Sequence, residues 1–221
     1  MSAPGLLVLG AFPPEIAPLV GRLPPGVVAA TCGVGLVEAS LGAAHELRVT
    51  GAKNVVFLGT CGAFEGAGLE VLDVVALART RLASAGVAEG LAALPEPMAR
   101  ELVADAALTS ALAPGVAAVS GVTTLTLTVD DEAARALSRS TGAAVEHLEA
   151  FAVGLAAERA GASFAAVLGV ANLVGARGRE QWRANHDEAS RRAAEVLLRG
   201  LAGGSGGHWR LLLEGRSPSK L

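Results

Sequence analysis

Short runs of apolar and β-branched residues alternate with segments of helical periodicity along most of the chain. Six such runs predict strands over Gly5–Ala11, Val27–Cys32, Asn54–Gly59, Val71–Ala78, Val116–Thr128 and Ser163–Val170. Helices are predicted over Glu15–Arg22, Leu36–Val49, Leu91–Leu112 (mostly helical, with breaks), the segment from Asp130 or Asp131 to Leu137, Leu148–Ala160 and Arg179–Leu201. Buried strands that alternate with helices are typical of α/β proteins. We therefore expect one α/β domain over residues 1–202, with a mixed, mainly parallel β-sheet flanked by helices in three layers.

The chain changes character at Gly203–Gly207, where the sequence GGSGG predicts a flexible break. Residues 203–221 are expected to form this break and a C-terminal tail outside the domain. Two alternatives remain for the tail: it is mobile, or Trp209–Leu213 docks as an edge strand.

The amino-acid composition argues against a membrane span and against nucleic-acid binding. Hydrophobic residues make up 52% of the chain, but Gly, Pro or a charge interrupts every apolar run before the roughly 20 residues of a membrane span. Met1–Gly10 lacks the basic start of a signal peptide, and Cys32 and Cys61 are too few for a disulfide framework, so a cytoplasmic location is expected. The net charge of −3 and the 3% aromatic content argue against nucleic-acid binding.

Glycine-rich or polar turns follow four of the predicted strands. They are Gly10–Glu15, Gly33–Gly35, Gly59–Ala63 and the segment at Asn172. Ligands of open α/β sheets bind beyond the carboxyl ends of strands. We therefore expect the Glu15 carboxylate, the Asn172 amide and two glycine turns to meet at one edge of the sheet.

Each of these features also has a purely structural explanation, as a solvated helix start, a tight turn or a strand-end amide. Gly33–Gly35 lacks the third glycine of a dinucleotide fingerprint, and Gly59–Gly62 lacks the lysine of a P-loop. His147 is typical of a helix-face histidine and Cys61 of a packing residue. Since no His, Cys and Asp cluster has metal-site spacing, no metal or cofactor is expected.

Five motifs follow one another along the chain. They are Gly10–Ile16 (GAFPPEI), Gly33–Ala39 (GVGLVEA), Gly59–Ala63 (GTCGA) with Asp73–Val75 (DVV) after it, Glu146–Ala150 (EHLEA) and Val170–Arg177 (VANLVGAR). In this order they resemble the motifs of the nucleoside phosphorylase/nucleosidase superfamily, which includes purine nucleoside phosphorylases, methylthioadenosine nucleosidases and futalosine hydrolases. The similarity extends from about Gly5 to about Leu201, and the last motif, followed by Trp182, is most similar to futalosine hydrolases.

The resemblance implies a homo-oligomer that cleaves the N-ribosyl bond of a small purine nucleoside through an oxocarbenium-like transition state. By matching position, Glu15 would activate water, Glu149 would bind the ribose hydroxyls, and Asn172 would contact N7 and the six-position of the base. The other candidate substrate contacts are Leu148, Thr60, Cys61, Gly62, Phe151 and Trp182.

Two sequence positions favour one subclass of this family, the futalosine hydrolases. Hexameric phosphorylases of the family carry a phosphate-binding Arg where this chain has Phe57, so water is expected to replace phosphate as the nucleophile. Adenine-releasing nucleosidases carry Asp where this chain has Asn172, and an amide that both donates and accepts suits a 6-oxopurine such as hypoxanthine. The resemblance therefore favours futalosine hydrolase, a step of the alternative menaquinone route.

Other positions depart from the family pattern. Leu168 replaces an Arg, Ala171 replaces a Ser, and Leu148 replaces the Met before the ribose-binding Glu. Three hypotheses follow: a futalosine-type hydrolase, a different nucleosidase or phosphorylase of the family, and a nucleoside-binding paralogue without turnover.

Overall fold

The computed structural model describes residues 3–203, and over this range it confirms the α/β class and the mixed, mainly parallel sheet. The eight strands of the described range are β1 (Leu6–Gly10), β2 (Val27–Thr31), β3 (Asn54–Ala63), β4 (Val74–Leu82), β5 (Glu101–Val103), β6 (Ala118–Thr123), β7 (Val145–His147) and β8 (Ser163–Leu173). Its seven α-helices are α1 (Pro13–Ile16), α2 (Gly35–Thr50), α3 (Ala85–Ala88), α4 (Ala106–Leu112), α5 (Asp131–Thr141), α6 (Ala150–Ala160) and α7 (Gly178–Ala202).

Part of the sheet closes on itself. The strand order is β2-β1-β3-β7-β6-β4-β5, and β8 pairs with both β3 and β4. The pairs β3–β8, β8–β4, β4–β6, β6–β7 and β7–β3 therefore complete a ring of five strands. Strands β1, β2, β3 and β8 run parallel to one another, so their carboxyl ends lie at the same edge of the sheet.

Alternate residues of β1 contribute to two cores on opposite faces of the sheet. Leu7 and Leu9 pack in a cluster with residues of α2 and α6, whereas Leu6 and Val8 pack with residues of α4 and α7. Small residues let the helices approach closely: a Cβ added at Gly169 on β8 would overlap the backbone oxygen of Ala189 on α7. The expected three layers are present, and the abundance of Gly and Ala follows from their tight packing.

Two predicted segments are wrong in part. The helix expected over Leu91–Leu112 is limited to α4; irregular chain containing Pro95 and Pro97 and then β5 precede it, and proline lacks the N–H that a helix interior needs. The strand expected over Val116–Thr128 is limited to β6, because the chain leaves the sheet after Thr123.

Further differences from the sequence prediction concern β7, the start of α6 and the tail. Strand β7 escaped the sequence analysis because its three residues show no periodicity, and α6 begins at Ala150 rather than at Leu148. The predicted tail beyond Gly203 lies outside the described residues. Within residues 3–203, no helix combines the length and the apolarity needed to cross a membrane.

Candidate active site

Glu15 is buried beside the carboxyl end of β1, with 3% of its surface exposed. It lies in α1, whose start at Pro13 fits the preference for proline in the first turn of a helix. Its Oε2 accepts a hydrogen bond of 2.6 Å from the backbone N–H of Ala11, and its Oε1 accepts one of 3.1 Å from the backbone N–H of Thr60. The carboxylate therefore joins the ends of β1 and β3.

Glu149 is the second buried carboxylate at this edge, and it immediately precedes α6. Its Oε1 accepts a hydrogen bond of 2.8 Å from the backbone N–H of Gly35, the first residue of α2. The first N–H groups of a helix have no partner inside the helix, and a carboxylate satisfies them well. Glu149 therefore connects the starts of α2 and α6.

The two carboxylates share one electrostatic environment. Burial, together with the charge of Glu149, raises the pKa of Glu15 to about 8, against the opposing effect of its hydrogen bonds from Ala11 and Thr60. Burial also raises the pKa of Glu149. The pKa of the Cys32 thiol rises to about 12 through burial and the charges of both carboxylates. Glu15 can therefore hold a proton near neutral pH and give up or take one at the site.

The absence of a side chain at Gly59 makes room for the Glu15 carboxylate. A Cβ added at Gly59 on β3 would lie 3.0 Å from Glu15 Oε1 and 3.1 Å from the ring of Phe57. The turn predicted over Gly59–Ala63 is wrong, because these residues belong to β3, and the lack of a side chain at Gly59 leaves space for the carboxylate beside the strand.

Aromatic side chains of α7 cover the region around Glu15 and Thr60. The indole N–H of Trp182 donates a hydrogen bond of 3.2 Å to Thr60 Oγ1, and Thr60 Oγ1 lies 3.4 Å from Glu15 Oε1. Trp182 stacks on His186 with ring centroids 4.2 Å apart, and the ring of Phe12 lies 6.1 Å from that of Trp182. We call Phe12, Trp182 and His186 the aromatic cluster.

Asn172 lies at the carboxyl end of β8, in register with Gly62 of β3. Its Nδ2 donates a hydrogen bond of 2.8 Å to the backbone oxygen of Leu173, and a Cβ added at Gly62 would lie 2.7 Å from the same nitrogen. Among the hydrogen bonds of the described residues, this one uses a single donor of the amide. A second N–H and the carbonyl oxygen remain for a ligand.

A buried polar ring supports the turn that carries Glu149. His147 Nδ1 accepts from the backbone N–H of Ala150, so Nε2 carries the proton and donates to Thr80 Oγ1 at 3.3 Å. The hydroxyl of Thr80 then donates to Thr123 Oγ1, and that of Thr123 to His147 Nδ1, both at 3.1 Å. Burial lowers the pKa of His147 to about 3, so the ring stays neutral.

The sequence analysis interpreted His147 as a helix-face histidine, and the structure corrects this. His147 is the last residue of β7, and its contacts hold the turn from β7 into α6. The distant partners Thr80 and Thr123 give no local signal in the sequence, which is why this group was missed.

The segment between β6 and α5 is fastened to β7 by a third buried carboxylate. Glu146 accepts hydrogen bonds from the backbone N–H and the hydroxyl of Thr128. Leu125 and Leu127 on this segment are exposed. Because Thr124 donates to the backbone oxygen of His147, the segment begins beside the turn that carries Glu149.

The remaining sequence candidates occupy different surroundings. Cys61 packs in the core between the sheet, α2 and α6, and burial raises the pKa of its thiol. Phe151 packs with Leu82 and Leu102 rather than in the aromatic cluster, and Leu148 is half-buried beside Glu149. Three family departures, Phe57, Leu168 and Ala171, are fully buried.

The arrangement brings Glu15, Thr60, Trp182 and, through electrostatics, Glu149 together, with Gly62 and Asn172 along the same sheet edge. Two carboxylates with raised pKa values suit proton transfer to or from a bound water and hydrogen bonding to hydroxyl groups. Within residues 3–203, no group of three His, Cys, Asp or Glu side chains is arranged to hold a metal ion.

Comparisons with known proteins place this geometry in context. The family model described as the phosphorylase superfamily matches residues 12–202. No curated protein sequence matches the chain significantly.

Solved structures with this fold include three informative neighbours. One is the 5′-methylthioadenosine/S-adenosylhomocysteine nucleosidase of Colwellia psychrerythraea 34H, in complex with adenine. It is 19% identical with a TM-score of 0.77, and the match covers 91% of this chain and 96% of the nucleosidase chain. The futalosine hydrolase of Helicobacter pylori strain 26695 is 14% identical, with coverages of 90% and 97% and a TM-score of 0.78. The Helicobacter pylori 5′-methylthioadenosine/S-adenosylhomocysteine nucleosidase, with butyl-thio-DADMe-Immucillin-A, is 13% identical, with coverages of 90% and 98% and a TM-score of 0.80.

Proposed function

Because the chain belongs to the phosphorylase superfamily, we propose that it is a nucleosidase that hydrolyses the N-ribosyl bond of a purine nucleoside, with futalosine as the favoured substrate and hypoxanthine as the released base. The observation that carries this proposal is the pair of buried carboxylates, Glu15 and Glu149, held at the carboxyl edge of the sheet. Neighbours of this fold include a futalosine hydrolase and adenine-binding nucleosidases, which supports the reaction class.

In the proposed reaction, ionised Glu15 takes a proton from water as the water oxygen bonds to C1′ of the ribose. The bond between C1′ and the purine nitrogen breaks, and its electron pair leaves with the base. The base then takes up a proton from solvent, and Glu15 releases to solvent the proton that it took from water, which restores the ionised carboxylate. General base catalysis of this kind contributes about 10²–10⁴-fold in rate.

Glu149 and Asn172 have separate roles in this proposal. Glu149 accepts hydrogen bonds from the ribose hydroxyls with the carboxylate oxygen that does not bind Gly35. Asn172 offers its remaining N–H to the six-position oxygen of a 6-oxopurine, and its carbonyl oxygen can accept from N7 once that nitrogen is protonated on the leaving base. An amide does not donate a proton as an acid does, so the leaving base is stabilised by hydrogen bonding alone.

Phe57 supports water rather than phosphate as the nucleophile. Its ring is fully buried beside Gly59, at the position where the hexameric phosphorylases of the family carry a phosphate-binding Arg. An apolar ring cannot pair with a dianion, and burying phosphate without a positive partner is strongly unfavourable.

A homo-oligomer is part of the same proposal. Val34, Val37 and Leu41 present exposed apolar side chains at and along the first turns of α2, next to the Gly35–Glu149 contact. Sedimentation velocity of the full chain should give a mass of at least two copies, and a purely monomeric boundary would contradict this part.

The deciding experiment is a panel of purine nucleosides, incubated with and without phosphate and read by chromatography of the released base. Futalosine should yield hypoxanthine without phosphate, and Glu15→Gln should abolish the release. Strict phosphate dependence would select a phosphorylase, and preference for methylthioadenosine would select the other nucleosidase class. Thermal stabilisation by purine nucleosides with no released base would select a non-catalytic binding protein.

A further inference from the structure

A chain of hydrogen bonds connects α7 to the candidate general base. The indole Nε1 of Trp182 lies 3.2 Å from Thr60 Oγ1, and Thr60 Oγ1 lies 3.4 Å from Glu15 Oε1. The backbone N–H of Thr60 reaches the same carboxylate oxygen at 3.1 Å. The hydroxyl contact is long, as hydrogen bonds of substrate-free sites often are. Trp182 thus reaches Glu15 through one intervening side chain.

The chemistry of the indole determines which group donates in this series of hydrogen bonds. An indole N–H can only donate, so Thr60 Oγ1 must accept from Trp182. One lone pair of the hydroxyl is then occupied, and its hydrogen is free to point at the carboxylate. The Trp182 dipole also polarises the hydroxyl in the sense that strengthens its donation, since hydrogen bonds in a series reinforce one another.

The surroundings of Trp182 hold the indole in this orientation. His186 stacks on it with an interplanar angle of 16°, and Phe12 packs at 6.1 Å on the loop that leads to Glu15. The neighbouring side chains of α7 bind the end of β8: Gln181 accepts from the backbone N–H of Leu173 at 2.8 Å, and Asn185 donates to the backbone oxygen of Ala171 at 3.2 Å. The first turns of α7 are therefore fixed to β3 and β8 together.

We propose that Trp182 is a positioning residue that acts through Thr60: its indole N–H sets the Thr60 hydroxyl as a donor to the Glu15 carboxylate, which favours the ionised form of that carboxylate and fixes its orientation. The role of Glu15 as a base rests on the proposed function. The hydrogen-bond relay itself does not depend on any substrate.

A test of this relay must take account of the other groups that influence the pKa of Glu15. Glu149 at the start of α6 and Cys32 after β2 are its titratable neighbours, and Ala11 and Thr60 supply the hydrogen bonds. On the α7 side, His186 faces Trp182, and its Nδ1 lies 3.3 Å from the carboxylate of Asp187. Substitutions that leave Glu149, Cys32, Ala11 and His186 in place and remove the indole N–H or the Thr60 hydroxyl test the relay.

The test measures the pKa of Glu15 directly in the substrate-free, full-length protein. Glutamate labelled with ¹³C at the carboxyl carbon is titrated by NMR, and the Glu15 signal is assigned by its loss in Glu15→Gln. Trp182→Phe keeps an aromatic ring for stacking but lacks the N–H, and it should raise the pKa of Glu15 by about half a pH unit. Thr60→Val, which removes the hydroxyl, should raise it by about one pH unit.

The double variant of Thr60→Val and Trp182→Phe distinguishes a relay through the Thr60 hydroxyl from a general structural effect of Trp182→Phe. In the Thr60→Val background, Trp182→Phe should leave the pKa of Glu15 unchanged, because no hydroxyl remains to be oriented. An unchanged pKa in the single variant Trp182→Phe would overturn the proposal. A shift of equal size in both backgrounds would overturn it as well, since Trp182 would then act without Thr60.

Two controls keep the result independent of folding and of the proposed activity. Circular dichroism and thermal unfolding verify that each variant is folded, and Thr60→Ser, which restores the hydroxyl, should recover the original pKa. If the unmodified protein releases no base from any nucleoside, the proposed function fails while the titration still decides the relay. If it does turn over, the acid limb of kcat/KM in Trp182→Phe should move to higher pH in parallel with the NMR value.

Discussion

Glu149 lies close enough to Glu15 for its negative charge to raise the pKa of Glu15, although the two are 134 positions apart in the sequence. Glu15 comes from α1, just after β1, and Glu149 from the turn before α6. Each accepts a hydrogen bond from the backbone N–H of another element, Thr60 of β3 for Glu15 and Gly35 of α2 for Glu149. The coupling makes the protonation of one carboxylate depend on the charge of the other.

This coupling predicts a pH dependence for the proposed reaction. With a pKa of about 8 in the free protein, Glu15 becomes ionised as the pH rises through that value, so kcat/KM should increase with pH up to about 8 and then level off. Initial rates of base release from pH 5 to 10 provide the measurement. A profile that is flat between pH 6 and 9 would exclude Glu15, with this pKa, as the base.

Glu149→Gln should lower the pKa of Glu15, because it removes the neighbouring charge and keeps the size of the side chain. The ¹³C titration of the Glu15 carboxyl measures the change without substrate. Glu158→Gln is the matched control, since Glu158 lies exposed in the same helix α6. Equal effects of the two substitutions would show that the charge of Glu149 has no special influence.

Stability should depend on pH through Glu15. Its pKa is about 8 in the folded protein, against an ordinary value of 4.5, so the folded state holds the proton more tightly than the unfolded state. The resulting stabilisation is complete below about pH 4.5 and is lost as the pH rises through about 8, at about 1.4 kcal/mol for each unit of pKa difference.

Glu15→Gln removes this titration, so Tm of the variant minus Tm of the unmodified protein should increase from pH 5 to pH 9. Both oxygens of Glu15 accept backbone N–H groups, and a glutamine amide opposes one of them at every pH. The absolute Tm of the variant is therefore uninformative, and the trend across pH is the measurement. A Tm difference that is constant with pH would contradict the raised pKa.

Gly59→Ala should displace the Glu15 carboxylate and weaken the proposed activity, because the new methyl group would lie 3.0 Å from Glu15 Oε1 and 3.1 Å from the Phe57 ring. Crowding of a well-packed site of this kind destabilises by about 1–3 kcal/mol, measurable by urea unfolding. Gly86→Ala is the control, since its added Cβ would have its nearest neighbour at 3.8 Å. Similar losses at the two positions would argue against a specific role for Gly59.

Thr80→Val should destabilise the protein by about 1–3 kcal/mol, because it leaves the buried Nε2–H of His147 without its acceptor. Urea unfolding at pH 7 measures this change. Thr126→Val, at an exposed position of the segment after β6, should stay within about 0.5 kcal/mol. If Thr80→Val is equally neutral, the ring of Thr80, Thr123 and His147 does not support the turn before α6.

Much of the architecture could be predicted from local patterns. Runs such as Asn54–Gly59 and Ser163–Val170 are buried on both faces and needed no tertiary information to be recognised as strands. Parallel pairing then brings their carboxyl ends to one edge, which is why the sequence predicts Glu15, Thr60 and Asn172 at that edge, while their roles there stay a prediction. The three-residue strand β7 was not foreseen, because its position is set by pairing with β3 and β6 rather than by its own sequence.

The sequence by itself determined the class of fold, the order of the motifs and the candidacy of Glu15 and Asn172 at strand ends, because these depend on residue type and on local periodicity, whereas the candidacy of Glu149 rests on the resemblance of its motif to that of the family. Only the tertiary structure decided the electrostatic coupling of Glu15 to Glu149, the polar ring around His147 and the relay from Trp182 through Thr60. Each of these joins residues from distant elements. Burial and hydrogen-bond direction, which set their pKa values, arise only when those elements are packed together.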